Sequence, residues 1–479
     1  MLAYSHPEEQ GVSSSCLLNF LELAEQKLDS LHSLMLVRHG KVVAEGWWAP
    51  YSSDTPHMLF SLSKSFTSTA IGMAVAEGRL TVDDPVLGFF PEEAPADAGE
   101  NLKAMRVRHL LSMSTGHHVD TMPALHSAAD GNWVKAFFSV PVQHEPGSYF
   151  LYNTGATYML SAILQKLTGM TLLDYLTPRL FEPLGIVNPT WEQCPRGINT
   201  GGFGLSVRTV DIASFGQLFL QQGLWMGKRL IPQAWVAEAT RKHVDNNNTQ
   251  TNIDWIQGYG YQFWRCQHNF YRGDGAHGQY CIVMAEQDAV LAITAGVNDM
   301  QAVLTLVWDA LLPALQPGVL QADPGAEAAL RRKLKSLALT PVAGQSHSPL
   351  ESALSGRRFK LDANDLQLET VSFAFDPAAR TCTLGLQDKR GAHSVTCGYA
   401  SWLQSASTLE PTGKTMVAAS WAWTGDDTLT AQICFRETPF IYSFACRVAG
   451  NMLQLTFTPN ISNGPGAGKQ TSVTARASE

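Results

Sequence analysis

Hydrophobic and polar positions fall into two regimes along the chain. In the first, Ser33 to Gly46 carries two β-branched or apolar runs around Arg38-His39-Gly40, which predicts a β-hairpin. From Ser61 to Gly78 the apolar residues recur at helical spacing and the pattern stops at Glu77-Gly78, a helix ended by glycine. Tyr158 to Leu167 and Asp211 to Gln222 repeat that period. Tyr280–Met284 and Ala289–Thr294 are short apolar runs separated by the turn Glu286-Gln287-Asp288, expected as buried neighbouring strands. Met300 to Leu315 then reads as a helix returning onto them. Strands at both ends with helices between predict an α/β sandwich over residues 1–320, its N- and C-terminal segments sharing one sheet.

The second regime follows a break. Pro317 to Pro349 is punctuated by Pro-Gly and Asp-Pro-Gly around a basic helix candidate, Ala326–Leu339, so residues 321–349 read as a linker or docking helix. Beyond it lie short alternating runs: Thr370–Phe375, Thr381–Leu386, Ser394–Cys397, Leu429–Phe435, Ile441–Cys446 and Met452–Phe457. They predict a small antiparallel β-barrel or sandwich over 350–461. Residues 462–479, rich in Gly, Ser, Thr and Lys, are expected to be a flexible tail.

Composition narrows the function classes. The 42 acidic residues outnumber the 34 basic ones, a formal charge of −8, which weighs against a nucleic-acid partner because phosphate binding needs a basic surface. No apolar run reaches the roughly 18 residues of a bilayer span, and the N-terminus shows no basic n-region or apolar h-region. A membrane partner is therefore not expected and a cytoplasmic location is. The eight cysteines contain no CxxC pair and read as reduced thiols. A small-molecule substrate is the expected partner.

The sharpest chemical feature is Ser61-Leu62-Ser63-Lys64. Serine and lysine three apart on one helical turn face the same side, so the amine nitrogen reaches the hydroxyl. A serine hydroxyl is a poor nucleophile until a base takes its proton, and a lysine whose pKa is depressed by burial serves as that base. Read without context, Ser61 is a helix-capping serine and Lys64 a solvated lysine. The apolar neighbours Phe60, Phe66, Ile71 and Met73 make a solvated lysine less natural. The G-x-S-x-G elbow of α/β-hydrolases is absent.

Three stretches taken together, Phe60-Ser-Leu-Ser-Lys-Ser-Phe-Thr-Ser68, Glu77-Gly-Arg-Leu-Thr-Val-Asp-Asp-Pro85 and Arg108-His-Leu-Leu-Ser-Met-Ser-Thr-Gly116, resemble the serine β-lactamase and penicillin-binding protein superfamily. The class C-like branch, with the family VIII esterases, is nearest. Pro146–Gly155 and Phe181-Glu-Pro-Leu-Gly185 extend the resemblance, which covers roughly residues 10–315. It implies a β-lactamase-like sandwich of antiparallel sheet, flanking helices and a helical region. It also implies a Tyr-x-Asn motif whose tyrosine moves a proton, and Tyr152 fits; a phenol beside an ammonium would have a lowered pKa. The family asparagine falls on Thr154, with Asn153 in the middle position.

The third motif, Lys/His-Thr/Ser-Gly, aligns best with Gly273-Asp274-Gly275, so the cation is missing and Asp274 is expected to disfavour anionic substrates. The resemblance makes the backbone N–H groups of Ser61 and Ala276 the oxyanion hole. His277 is a candidate pocket residue, as are His117 and Asp120 in Thr115-Gly-His-His-Val-Asp120. Adjacent histidines rarely share one face and no H-E-x-x-H is present, so no metal is predicted, and no cofactor is implied.

The reading is a serine hydrolase forming an acyl-enzyme on a small ester or amide. Rivals are a carbohydrate-active enzyme on the same fold, suggested by the tryptophans and by Glu145, Asp120 and Asp274, an acyltransferase, and a non-catalytic binding protein. The C-terminal domain is expected to cover the cleft or to make a homo-oligomer contact.

Overall fold

The computed structural model describes residues 2–249, 251–410, 415–461 and 470–477. The chain divides into two compact units, and each is interrupted in sequence. The first comprises Met1–Gly46, Pro56–Ala295 and Asp299–Lys335, the second Trp47–Thr55, Gly296–Asn298 and Ser336–Glu479.

The first unit is built on a seven-stranded sheet. The expected hairpin is strands β1 (Leu31–Arg38) and β2 (Lys41–Trp47), turning at His39-Gly40, where both residues have positive φ. Among the helices that follow are α1 (Ser63–Ala76), α2 (Thr154–Thr168) and α3 (Thr209–Leu220). The chain then returns to the sheet with β3 (Tyr271–Gly275), β4 (Gln279–Met284) and β5 (Ala289–Ala295). Strand β5 pairs antiparallel with β1, setting Leu34 opposite Ile293 and Leu36 opposite Leu291, so the N- and C-terminal segments share the sheet. Their residues are buried on both faces, which is why these runs are continuously apolar rather than alternating.

Helix α3 lies directly on this sheet. A Cβ on its Gly216 would meet the Val290 side chain and the Cys281 sulfur, so the close approach requires glycine. Helix α1 is the central helix: every residue from Ser63 to Ala74 is buried. Phe66 stacks on Phe215 of α3 with ring centroids 3.9 Å apart. Two of its polar residues bond distant carbonyls: Thr67 donates to that of Gly201 at 2.8 Å and Ser65 to that of Gln262 at 2.8 Å.

The stretch expected as a linker or docking helix, 321–349, contains a helix. Its helix spans Pro324–Ser336 and is tied to the first unit by Glu327 with His6 and Lys333 with Glu25. Leu337 and Leu339 pair through their backbones with Ala49 inside the second unit.

In that second unit, strands run antiparallel in a continuous order, and a parallel pairing of Gly398–Tyr399 with Ser420–Trp421 closes nine of them into a barrel. Alternate residues such as Val371, Phe373, Leu384, Leu386, Ile433 and Leu455 fill its interior. The flexible tail expected over 462–479 is corrected in part. Thr471–Ala477 is a strand paired with Met452–Phe457 on one side and Phe359–Leu361 on the other, because Val473 and Ala475 point into the barrel core. Residues 462–469 and 478–479 of that expectation lie outside the described residues. All eight cysteines are free thiols. Among the described residues, no helix is long and apolar enough to cross a membrane.

Candidate active site

Ser61 sits in a tight turn, Phe60–Leu62, just before α1 rather than on the helix itself. Phe60 takes a left-handed conformation, φ 48°. A bulky residue in that region is strained by about 1–3 kcal/mol and persists only where its surroundings over-determine it. They do so here. Upstream, His57–Met58 pairs with Ser206–Val207, and the Leu59 amide donates to the Leu205 carbonyl at 2.9 Å. Downstream, the Ser63 hydroxyl donates to the Phe60 carbonyl at 2.6 Å. On the sheet side, Gly275 of β3 presses its backbone on the turn; a Cβ there would overlap the Leu59 carbonyl oxygen. Gly273, two residues earlier on the same face, leaves room for Leu62 and Ser65.

Lys64, one turn into the helix region, is 1% exposed. Its Nζ lies 3.0 Å from the Ser61 Oγ, 2.8 Å from the Gly202 carbonyl and 3.3 Å from the Thr154 Oγ1. Three acceptors match the three donors of an ammonium. Burial nevertheless lowers its pKa to about 7, against the opposing pull of Asp120 and Asp274. A neutral Lys64 keeps two N–H bonds, enough for Gly202 and Thr154, and turns its lone pair on Ser61.

Tyr152 comes from the segment leading into α2. Its ring lies 4.8 Å from the Lys64 Nζ, it stacks on Trp264 at 5.1 Å between ring centroids, and Ser61 is among the groups that act on its phenol. The structure corrects the expected pKa direction. Burial raises the Tyr152 pKa, reinforced by the charge of Asp274, so the residue stays a phenol and a proton donor at neutral pH.

The remaining candidates separate. Thr154 is at the site through Lys64. Asn153, expected to bind substrate, is fully buried instead: its Oδ1 accepts from the Thr121 amide and hydroxyl, at 3.2 and 2.7 Å. His117, also 0% exposed, bonds the Thr115 hydroxyl at 2.8 Å and packs edge-on against Phe137. These two brace the loop, and it is the exposed Asp120 at its end whose charge reaches Lys64 and Tyr152. His277 is half-buried, with its ring edge-on to Phe60 at 5.5 Å. Ala276 follows directly on Gly275, the glycine pressed to the nucleophile turn.

Asp274 is buried and accepts from the Arg272 Nε at 2.9 Å. Burial raises its pKa, and Arg272 opposes that rise. Arg272 is itself 0% exposed, donating to the Asp254 carbonyl at 2.8 Å and lying over the Trp255 ring at 4.4 Å. The motif's cation is thus absent from 273–275 but present one residue earlier, and Asp274 does not act as a lone anion. Sequence reasoning missed Arg272 and Gly202. The signal for Arg272 was its i, i+2 spacing to Asp274 on one strand face; that for Gly202 was the glycine run Gly201-Gly202-Phe203-Gly204.

Residues 25–312, more than half of the chain, match the Beta-lactamase family. The chain belongs to this family. A 6-aminohexanoate-dimer hydrolase of Paenarthrobacter ureafaciens is 25% identical over 310 residues, 60% of this chain and 78% of that protein. A lovastatin esterase of Penicillium rubens is 25% identical over 171 residues, 31% of this chain and 42% of the esterase. Among solved structures, EstCE1, described as a hydrolase with promiscuous acyltransferase activity, superposes with a TM-score of 0.51 at 17% identity. It covers 62% of this chain and 98% of its own. This β-lactamase-family member is a serine hydrolase with the α/β fold of the superfamily and an added C-terminal barrel.

Proposed function

We propose that the enzyme cleaves small, uncharged esters or amides through a covalent acyl-enzyme on Ser61. The observation that carries this reading is the 3.0 Å approach of a buried Lys64 amine, with pKa about 7, to the Ser61 hydroxyl. Neutral Lys64 takes the hydroxyl proton as Oγ attacks the carbonyl carbon. The resulting oxyanion is held by the backbone N–H groups of Ser61 and Ala276. Collapse breaks the bond to the leaving alcohol or amine, which receives its proton from Tyr152 while Lys64 returns one to the phenol. Water then attacks the acyl carbon, giving a proton to Lys64; collapse breaks the bond to the Ser61 Oγ, Lys64 passes that proton to Oγ, and the acid leaves.

Relatives named for a 6-aminohexanoate dimer and for lovastatin support substrates other than β-lactams. The pairing of Asp274 with Arg272 supports the same reading, since no uncompensated cation stands in the third motif to draw a carboxylate. The test is hydrolysis of p-nitrophenyl butyrate together with intact-mass detection of a fluorophosphonate adduct. Ser61→Ala should abolish both; unchanged turnover in that variant rejects the nucleophile.

A further inference from the structure

We infer that Gln262 is a positioning residue for Tyr152, holding the phenol in place against the helix that carries Lys64. This rests on the acyl-enzyme reading and deepens it by saying what sets the proton donor. Gln262 is 2% exposed and takes a left-handed backbone conformation, φ 65°. A long side chain rarely adopts that conformation, and it persists only where surrounding contacts impose it. Here every hydrogen-bonding group of the residue is engaged. Its Nε2 donates to the carbonyls of Leu110 and Leu111 at 3.1 and 2.8 Å, and its Oε1 accepts from the Thr157 hydroxyl at 2.7 Å. Its backbone N–H donates to the Leu111 carbonyl at 3.1 Å, and its own carbonyl accepts from the Ser65 hydroxyl at 2.8 Å. Two carbonyls can face only the NH2 end of the amide, so its orientation is fixed by these partners.

The partners belong to the three segments from which the site is assembled. Ser65 adjoins Lys64 on α1, and Thr157 lies on α2 a turn past Thr154. Leu110 and Leu111 end the short helix Val107–Leu111, whose last carbonyls find no partner further along the helix, so Gln262 serves as their cap. Two residues on, Met113 holds the chain on either side of Tyr152. Its carbonyl accepts from the Leu151 amide at 2.9 Å, and its sulfur accepts from the Asn153 amide at 3.3 Å. Trp264, two residues after Gln262, stacks on the Tyr152 ring. One buried amide thus ties both flanks of the phenol to the helix of the base.

The bond to Ser65 uses the Gln262 backbone, so a side-chain change leaves α1 anchored and frees the Tyr152 side. Proton removal from Ser61 is then spared, and proton delivery to the leaving group is what suffers. A p-nitrophenolate departs as a stable anion and barely needs that proton, whereas an alkoxide cannot leave without it. Loss of positioning therefore changes leaving-group preference, which general destabilisation does not.

The experiment compares Gln262→Met, Gln262→Asn, Thr157→Val and a control in the full-length enzyme. The control, Ser33→Ala, breaks a buried hydroxyl bridge from β1 to Thr209 and Thr294. Two readouts are taken: kcat/KM for p-nitrophenyl butyrate and for ethyl butyrate, and hydrogen exchange of the Leu151 and Asn153 amides by mass spectrometry. Gln262→Met should lose about threefold on the p-nitrophenyl ester and about thirtyfold on the ethyl ester, a part of the roughly 100- to 10,000-fold that a well-placed general acid supplies. Exchange at both amides should speed up. Gln262→Asn tolerates the left-handed backbone but is too short to reach the same partners, and should match it. Thr157→Val cuts only the bond to α2 and should show the same preference more weakly. Ser33→Ala should melt earlier yet keep the wild-type ratio of the two esters and wild-type exchange at those amides. An unchanged ester ratio or unchanged exchange in both Gln262 variants, or the same change of ratio in Ser33→Ala, overturns the inference. Where the Gln262 variants do not fold, Thr157→Val decides, an unchanged ratio there overturning it. Should the wild-type enzyme turn over neither ester, the Ser61 reading fails by itself, and exchange at Leu151 and Asn153 decides whether Gln262 holds Tyr152.

Discussion

The Lys64 amine is the group on which a change of pH should tell most. A pKa of about 7 leaves roughly one-tenth of it neutral at pH 6 and about nine-tenths at pH 8. If the neutral form is the base, kcat/KM for p-nitrophenyl butyrate rises about tenfold between those values and then levels off. The same shift is a statement about stability. The folded value lies below the ordinary lysine value of 10.5, so between about 7 and 10.5 the unfolded chain binds the extra proton and stability rises with pH. Below pH 7 the full penalty of the buried charge applies, on the order of 5 kcal/mol for a shift of that size; above 10.5 it is gone. Lys64→Met removes this penalty. The stability difference between the variant and wild type, measured by urea unfolding, should therefore shrink by about 3 kcal/mol from pH 6 to pH 9.5. Titrations common to both proteins cancel in that comparison. A kcat/KM profile flat from pH 5.5 to 8, or a stability difference that does not move with pH, refutes the assignment of Lys64 as the buried base.

Other changes have signed outcomes. Asp120→Asn keeps the side-chain oxygen that accepts from the Met122 amide but removes a charge that raises the Lys64 pKa, so the acid limb of the rate profile should move to lower pH; a shift upward contradicts the electrostatics. Arg272→Met leaves Asp274 buried without its partner and should lower stability by about 3–5 kcal/mol in urea unfolding, as loss of one half of a buried ion pair does. Gly275→Ala drives a Cβ into the Leu59 carbonyl and should both lower the melting temperature and remove most ester turnover, measured by calorimetry and the p-nitrophenyl assay.

Local pattern carried much of this molecule. The hairpin at His39-Gly40, helices α1, α2 and α3 and six of the barrel strands follow from period and turn residues alone. The Ser61–Lys64 relation was equally legible, because both residues lie within one turn of chain. What escaped depends on distant partners. Thr415–Trp423 is a strand without alternation, since Val417 to Trp423 are all buried, so no period of two marks it. Thr471–Ala477 looks like a polar tail because only Val473 and Ala475 face the core. The raised pKa of Tyr152 follows from burial among Trp264 and Tyr259, which approach from more than a hundred residues away. The role of Asn153 likewise lies in a contact with Thr121 that no short motif announces.

Because residues 47–55 find their partners in Leu337, Cys434 and Arg436, the order of synthesis matters to this protein. Nearly four hundred residues separate the segment from its guanidinium, which at ordinary translation speeds of about 5–20 residues per second is a delay on the order of 20 to 80 s. Throughout that interval the stretch just ahead of the reactive alcohol has been made but has nothing to grip it. Residues 47–55 are thus among the first to be made and among the last to be packed.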